Sequence, residues 1–361
     1  MSRYEERLAA DRSEIRTRVA AVGERVARAV EEAVDALLAG DRARCYAVVL
    51  GDLPINREIR AIDQRCHAFV ARHLPSAGHL RFVSSVLQLN IALERIGDYA
   101  VTIAREGVKL MAPPPEVIAS DIRDLKAEAT AILRQAVRAF EEQNAELARA
   151  TKPQTKQIER HYADTFRRLT REGDELPLAD AFALLMVFSR IERVSDQAKN
   201  LCEETLFALT GETKPPKRYR ILFVDARDTL IGPLAVALAR KAFPASGDYT
   251  SAGFQAGDEL APELEAIAEK LSLDTSGLGP SPLKADRETL EQFHVIVCLT
   301  PDASRHIPDV PYATVLLEWD LPKLSDPEAG DGLDARLAEI AKRLATEIQE
   351  LMVMMRGEEA E

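Results

Sequence analysis

The chain has 361 residues, a length that suits about two domains, each burying its own core. With 46% apolar and 29% charged residues its make-up is that of a soluble globular protein. A formal net charge of −12 argues against nucleic acid, whose phosphates attract clustered Lys and Arg. The opening "MSRYEERLAADRSEIR" is charged from its third residue, unlike a secretory leader, and no apolar run reaches membrane-spanning length. A cytoplasmic location is therefore expected. Cys45, Cys66, Cys202 and Cys298 are scattered with no C-x-x-C pair, which points away from disulfides and from a zinc ribbon.

Up to about residue 210 everything reads as helix. Residues 3–39 carry Ala, Leu and Val at helical spacing and stop at Gly40-Asp41. Further helices are predicted at 42–73, 78–110, 116–149, 152–173 and 177–210, broken at Leu74-Pro75, at "APPPE", at Pro153 and at Gly173-Asp174. Six helices with short connections imply antiparallel bundles. After "TGETKPPKRYR" strands and helices alternate. "RILFVDA", "DYTSAGF", "HVIVCLT" and "ATVLLEW" read as strands, and a long helix closes the chain over about 332–356. The expected architecture is an all-α part made of two three-helix bundles, then an α/β domain with a four-stranded, mainly parallel sheet. Its bounds are 1–212 (repeats at 5–110 and 116–212), a linker at 213–218, 219–356, and a tail at 357–361.

The helical part contains a repeat. "LERIGDYAVTIA" (93–104) returns as "IERVSDQAKNLC" 98 residues later, with Glu94/Glu192, Arg95/Arg193, Asp98/Asp196 and Ala100/Ala198 identical. Leu89, Leu93, Ile96, Ala100 and Ile103 make a core stripe, and Glu94 and Asp98 sit beside it, four residues apart on one face. Like charges at that spacing repel unless something positive joins them. One answer is a divalent or trivalent cation bound through oxygen; the other is neutralisation by Arg95, Arg193 or a neighbouring helix. His67, His73 and His79 form no compelling ligand set and read as surface or capping residues.

The second part opens on "RILFVDARDTLIGPLAVALARK", a strand, a short polar loop and a helix N-terminus. Such a junction collects free backbone N–H groups and the positive end of the helix dipole, which suits an anion. Asp225 stands where the strand ends.

The stretch from "VVLGDLPINREIRAIDQRC" to "LERIGDYAVTIA", followed by a second copy ending "SRIERVSDQAKNLCEETLFALTGE", resembles the PhoU family over about residues 5–212. The resemblance implies two symmetric three-helix bundles. It implies metal clusters (iron, zinc, manganese or magnesium) held through Glu94 and Asp98 in one repeat and Glu192 and Asp196 in the other. It also implies negative control of the phosphate response through a phosphate ABC transporter ATPase and a sensor histidine kinase, with at most peripheral membrane contact; a homodimer is allowed. Where the family often has an acid on the preceding helix, this chain has Asn56.

Residues 219–356 resemble the low-molecular-weight tyrosine phosphatases and the arsenate reductases of the same fold, in "ILFV", "GPLAVALARKAF", "SAGF", "VIVCLTPDA" and "EWDLPKLSDPEAG". That family's catalytic loop runs Cys, five residues, Arg, Ser, and an Asp-Pro pair delivers its general acid. Here Asp225 stands for the cysteine, Ile231 for the arginine and Gly232 for the serine, while Asp326-Pro327 keeps the acid. The redox cysteines of the reductases correspond to Thr300 and Ile307, and Cys298 reads as an inert core residue. The expectation is a pseudo-phosphatase module without phosphoryl-transfer activity. The alternative is an aspartate-dependent phosphatase, because "FVDARDTL" also resembles the haloacid-dehalogenase loop. Asp225 would then be the nucleophile, although Arg227 occupies the acid/base position.

Overall fold

Apolar residues recurring every three or four positions in charged, Ala-rich sequence wind the first half into long helices. The computed structural model describes residues 3–155, 158, 176–213, 217–311, 313–322 and 332–356. The chain divides into two units, Met1–Lys214 and Pro215–Glu361.

In the first unit α1 spans Arg3–Leu38, α2 Arg42–His73, α3 Ala77–Lys109, α4 Glu116–Glu141, α5 Ala145–Thr151 and α6 Leu178–Thr210. Gly40, at φ 64°, turns the chain after α1, and the Asp41 side chain caps α2 by accepting from the Arg44 amide. The expected single helix over 116–149 is two helices. Gln143 adopts φ 55° and Asn144 caps α5 by accepting from the Leu147 amide. This break does for α4 and α5 what Gly40-Asp41 does for α1 and α2, with residues that advertise a turn less plainly. Of the helix expected at 152–173, a 3₁₀ turn at Lys152–Gln154 is seen; most of the rest, with Gly173-Asp174, lies outside the described residues.

The core stripe of α3 is buried at all five expected positions. Its counterparts 98 residues on, Val187, Ile191, Val194, Ala198 and Leu201 on α6, are buried too. The repeat in sequence is thus a repeat in packing. Helices approach closely at Gly23 of α1, where a Cβ would meet Val137 Cγ2 of α4 at 2.5 Å. One histidine departs from expectation. His73 is not a surface residue but is 4% exposed, with Nε2 2.8 Å from Asp11 Oδ2 on α1 and its carbonyl accepting from the Tyr4 hydroxyl.

The second unit holds β1 (Tyr219–Asp225), α7 (Ile231–Ala242), β2 (Gly247–Gly253), α8 (Pro262–Leu271), α9 (Arg287–Leu290), β3 (Val295–Cys298), β4 (Val315–Glu318) and α10 (Leu333–Arg356). The four strands are all parallel in the order β2-β1-β3-β4. One sheet face packs Phe223, Val297 and Trp319 with apolar residues of α7 and α10; the other packs Leu222, Val224, Ile296 and Cys298 with Leu290 and Ile307. Crossovers run outward from β1 in both directions. In open α/β sheets that reversal opens a crevice at the carboxyl ends of the strands. The loop after β1 lies there. The tail at 357–361, Asp326-Pro327 and part of the 213–218 linker are outside the described residues.

Candidate functional site

Two places carry the residues singled out by sequence. The first is the face of the bundle where α2 meets α3. Glu94 and Asp98 are exposed on α3, and among the described residues neither has a basic partner within ion-pair distance. A third carboxylate joins them from α2. Asp52 Oδ2 accepts a 2.6 Å hydrogen bond from Asn56 Nδ2, whereas Asp52 Oδ1 and Asn56 Oδ1 are buried without hydrogen-bond partners. A Cβ on Gly97 would stand 2.9 Å from Asp52 Oδ1, so that oxygen points at α3 beside Asp98. Burial first, then the charge of Asp98, raise the Asp52 carboxyl above its usual range, while Asn56 and Arg105 oppose the rise.

Orphaned oxygens facing extra negative charge are the kind of donor a hard cation takes. The residues of the first copy fit a metal on that ground. Among the described residues no three His, Cys, Asp or Glu side chains stand together as a ligand set. In the second copy the positive charge is built in. Arg193 Nη1 lies 3.1 Å from Asp196 Oδ2, and its Nε 3.6 Å from Glu192 Oε2.

The second place is the loop after β1. Asp225 is 5% exposed, its Oδ2 accepts from the Gly232 amide at 2.8 Å, and its Oδ1 accepts from the Asp228 amide. Burial pushes this carboxyl up, against the backbone N–H groups of Asp228, Gly232 and Arg227. Asp228 is fully buried in left-handed backbone at φ 55°; its Oδ2 accepts from the Ser281 amide at 2.8 Å and its Oδ1 has no partner. Burial raises Asp228 to about 6, with Asp225 adding to the rise and Ser251 and the Ser281 amide lowering it. The two acids leave room for no side chain at Gly232. A Cβ on Gly232 would meet Asp228 Oδ1 at 2.7 Å, Ser251 Cβ at 3.1 Å and Asp225 Oδ2 at 3.3 Å. Ile231 opens α7 as a partly buried apolar residue packed against the core and supplies no charge. Asp326 lies outside the described residues. Cys298 is buried and pushed up to about 11 by desolvation, which leaves its thiol inert.

The PhoU domain model matches residues 19–107 and 122–205. A Pseudomonas putida protein described as a phosphate-specific transport system accessory protein PhoU homolog is 31% identical over 208 residues, 56% of this chain and 80% of that protein. The chain belongs to the PhoU family. The crystal structure of PhoU from Pseudomonas aeruginosa aligns at 28% identity and TM-score 0.53, over 56% of this chain and 99% of that one. The tyrosine phosphatase Wzb from Escherichia coli K30, solved with sulphate, is similar at 18% identity and TM-score 0.31, over 37% of this chain and 99% of that one.

The two stretches matched to PhoU contain both Glu-Arg-x-x-Asp segments and both of the α2 residues that face the first. Sequence reading singled out Asn56 on α2 and passed over Asp52. The signal was available, because Asp52 and Asn56 repeat on α2 the four-residue spacing of Glu94 and Asp98 on α3. Among the described residues no helix is long and apolar enough to cross a membrane.

Proposed function

We propose that this protein is an accessory regulator of phosphate transport whose helical unit binds a metal ion and acts through protein partners. Its membership of the PhoU family, over both repeats, carries the reading; relatives are named as accessory proteins of the phosphate-specific transport system. A phosphate transporter ATPase and a sensor histidine kinase are the partners this role calls for. Asp52, Glu94 and Asp98 would hold the metal in the first repeat, with Asn56 fixing Asp52 by its 2.6 Å hydrogen bond. There the cation would neutralise like charges on adjacent helices and stiffen the α2–α3 face. Glu192 and Asp196 have the same spacing in the second repeat, with Arg193 already between them.

The second unit works as a module without phosphoryl-transfer chemistry. Its loop has no thiolate nucleophile and has Ile231 where an arginine would clamp phosphate oxygens, and the one acid at the nucleophile position has each carboxylate oxygen engaged by a backbone amide. The regulatory reading is tested by deleting residues 1–212 in the host and reading phosphate-starvation genes at high phosphate. Derepression is the expected result; unchanged repression overturns the reading.

A further inference from the structure

The loop from Asp225 to Gly232 is built like an anion seat, and it already contains an anion. Its carbonyls are turned outward and pinned. The amides of Phe254, Gln255, Gly257 and Ala261 donate to the carbonyls of Asp225, Ala226, Arg227 and Thr229, at 3.2, 2.8, 2.8 and 2.9 Å. With the carbonyls held on that side, N–H groups line the inside, the arrangement that makes a backbone nest for anions. Gly253, at the end of β2, presses against the loop from below; a Cβ there would meet the Arg227 carbonyl carbon at 2.7 Å and the Asp228 amide nitrogen at 2.9 Å. The loop therefore has no room to relax downward. Above it, α7 begins without a side-chain cap from its own N-cap residue, Leu230. The Gly232 amide would be an orphan donor at the positive end of a 12-residue helix, and it goes instead to Asp225.

Charge supports the same assignment. Asp225 and Asp228 are both buried, and among the described residues no Lys or Arg pairs with either. Buried carboxylates persist only where something compensates them, and here that is the loop N–H groups and the helix dipole. A cation between the two acids would face those same positive groups, so the seat favours an anion over a metal. The partnerless Asp228 Oδ1 is fully buried and directed at the same helix start, 2.7 Å from where a Cβ on Gly232 would be.

We propose that Asp225 is a resident anion, its carboxylate occupying the loop's oxyanion seat so that the second unit keeps an anion-loaded loop whatever the phosphate concentration. Asp228 closes the seat beside the start of α7. External phosphate or sulfate then finds the Asp228 and Gly232 amides already taken, and the chain's response to phosphate does not run through this loop. This assignment is independent of whether the helical unit binds metal or regulates transport.

Trp319, the single tryptophan, packs on Phe223 of β1 with ring centroids 5.8 Å apart and so reports on the second unit within the full chain. The test follows its fluorescence during thermal unfolding in sodium phosphate, in sodium sulfate, and in sodium chloride matched for ionic strength. The wild-type protein and Asp228→Asn, each compared with itself, are expected to shift equally in phosphate and sulfate, and only by the general stabilisation that excluded salts give. The Asp225→Ala/Asp228→Asn double variant is expected to unfold earlier in chloride and to recover by several degrees beyond that shift in phosphate or sulfate. A phosphate-specific rise in the wild-type protein overturns the proposal, and so does a folded double variant that ignores both oxyanions. Should the double variant not fold, crystals of the wild-type chain grown in ammonium sulfate decide. Asp225 on the Gly232 amide with no sulfate there upholds the resident anion; sulfate bound to the Asp228 and Gly232 amides overturns it.

Discussion

Asp52 Oδ1 on α2 and Gly97 on α3 are packed so closely that a Cβ on the glycine would stand 2.9 Å from the oxygen. The contact aims a buried, partnerless carboxylate oxygen at the helix that carries Glu94 and Asp98. A cation bound there should be lost in Asp52→Asn/Asp98→Asn, as measured by metal content and calorimetric titration of the full chain with Mn²⁺ or Zn²⁺. Asn56→Ala, which frees Asp52 without removing it, should weaken binding by roughly 10- to 100-fold, the scale for groups that orient a metal ligand. Asn56→Asp should strengthen it by adding a carboxylate. Equal metal content in the wild-type protein and the Asp52→Asn/Asp98→Asn variant, with helicity retained in both, would show that these acids bind nothing.

Most of the fold was legible because its signals are periodic. The stripes on α3 and α6, the alternation of strand and helix after residue 218 and the parallel sheet follow from spacing alone. What escaped either had no plain local marker or was decided by neighbours far along the chain. The turn at Gln143-Asn144 has a side-chain cap but no glycine to mark it. His73 sits in the last turn of α2, where a histidine commonly faces solvent, and only the approach of Asp11 and Tyr4 from α1 buries it. Asp52 belongs to the candidate site through a glycine 45 residues away on another helix. In the loop, Asp225 was legible as an acid at the end of the first strand. Its capture of the Gly232 amide was not, because that depends on how the backbone turns between them.

Close helix packing at Gly23 gives a stability prediction. An alanine there puts a methyl 2.5 Å from Val137 Cγ2 and 3.2 Å from its Cβ, and a β-branched side chain in a helix has little freedom to turn away. Gly23→Ala removes a helix-weakening glycine but overpacks the α1–α4 contact, at a net cost of about 1–3 kcal/mol. Pairing it with Val137→Ala should return part of the loss, with a coupling of about 1 kcal/mol in a double-mutant cycle from urea unfolding. Additive effects of the two changes would mean that the helices simply shift apart.

Phosphoryl transfer is expected to be absent. An aspartate nucleophile needs a carboxylate oxygen free to attack, and both oxygens of Asp225 are held by amides in a site 5% exposed. The full chain with Mg²⁺ should leave an aryl phosphate untouched, and Asp225→Cys/Ile231→Arg/Gly232→Ser should make phosphate binding measurable. Within that triple change Asp225→Cys relieves only the 3.3 Å contact of Gly232→Ser with Asp225 Oδ2, and Asp228 Oδ1, 2.7 Å from the new Cβ, still has to shift. Alone, Gly232→Ser would press a side chain onto Asp228 Oδ1 and Asp225 Oδ2. Turnover by the unmodified chain that Asp225→Asn abolishes would instead make this protein an aspartate-dependent phosphatase.

Asp228 gives the second unit a pH dependence whose direction is fixed by burial. Its carboxyl, raised to about 6 by desolvation, takes up a proton in the folded state before it does in the unfolded chain. Between about 4 and about 6 the folded state therefore binds more protons, so stability falls as pH rises through that window and levels off above it. Above about 6 the folded protein carries the cost of a buried charge, on the order of 3 kcal/mol for a displacement of this size. Asp228→Asn removes the charge and suits the left-handed backbone at φ 55°, which asparagine tolerates well. Its amide oxygen can still accept from the Ser281 amide, and its NH₂ group can turn toward the otherwise partnerless side facing Asp225. The variant should unfold later than the wild-type protein at pH 7.5 and should show a smaller rise in stability on acidification toward pH 5, the remainder coming from Asp225, which burial also pushes up. Chemical denaturation followed by Trp319 fluorescence at a series of pH values measures both effects. A wild-type stability that instead drops on acidification through that range, with Asp228→Asn destabilised at pH 7.5, would show that Asp228 is held ionised and that its charge helps to hold the loop.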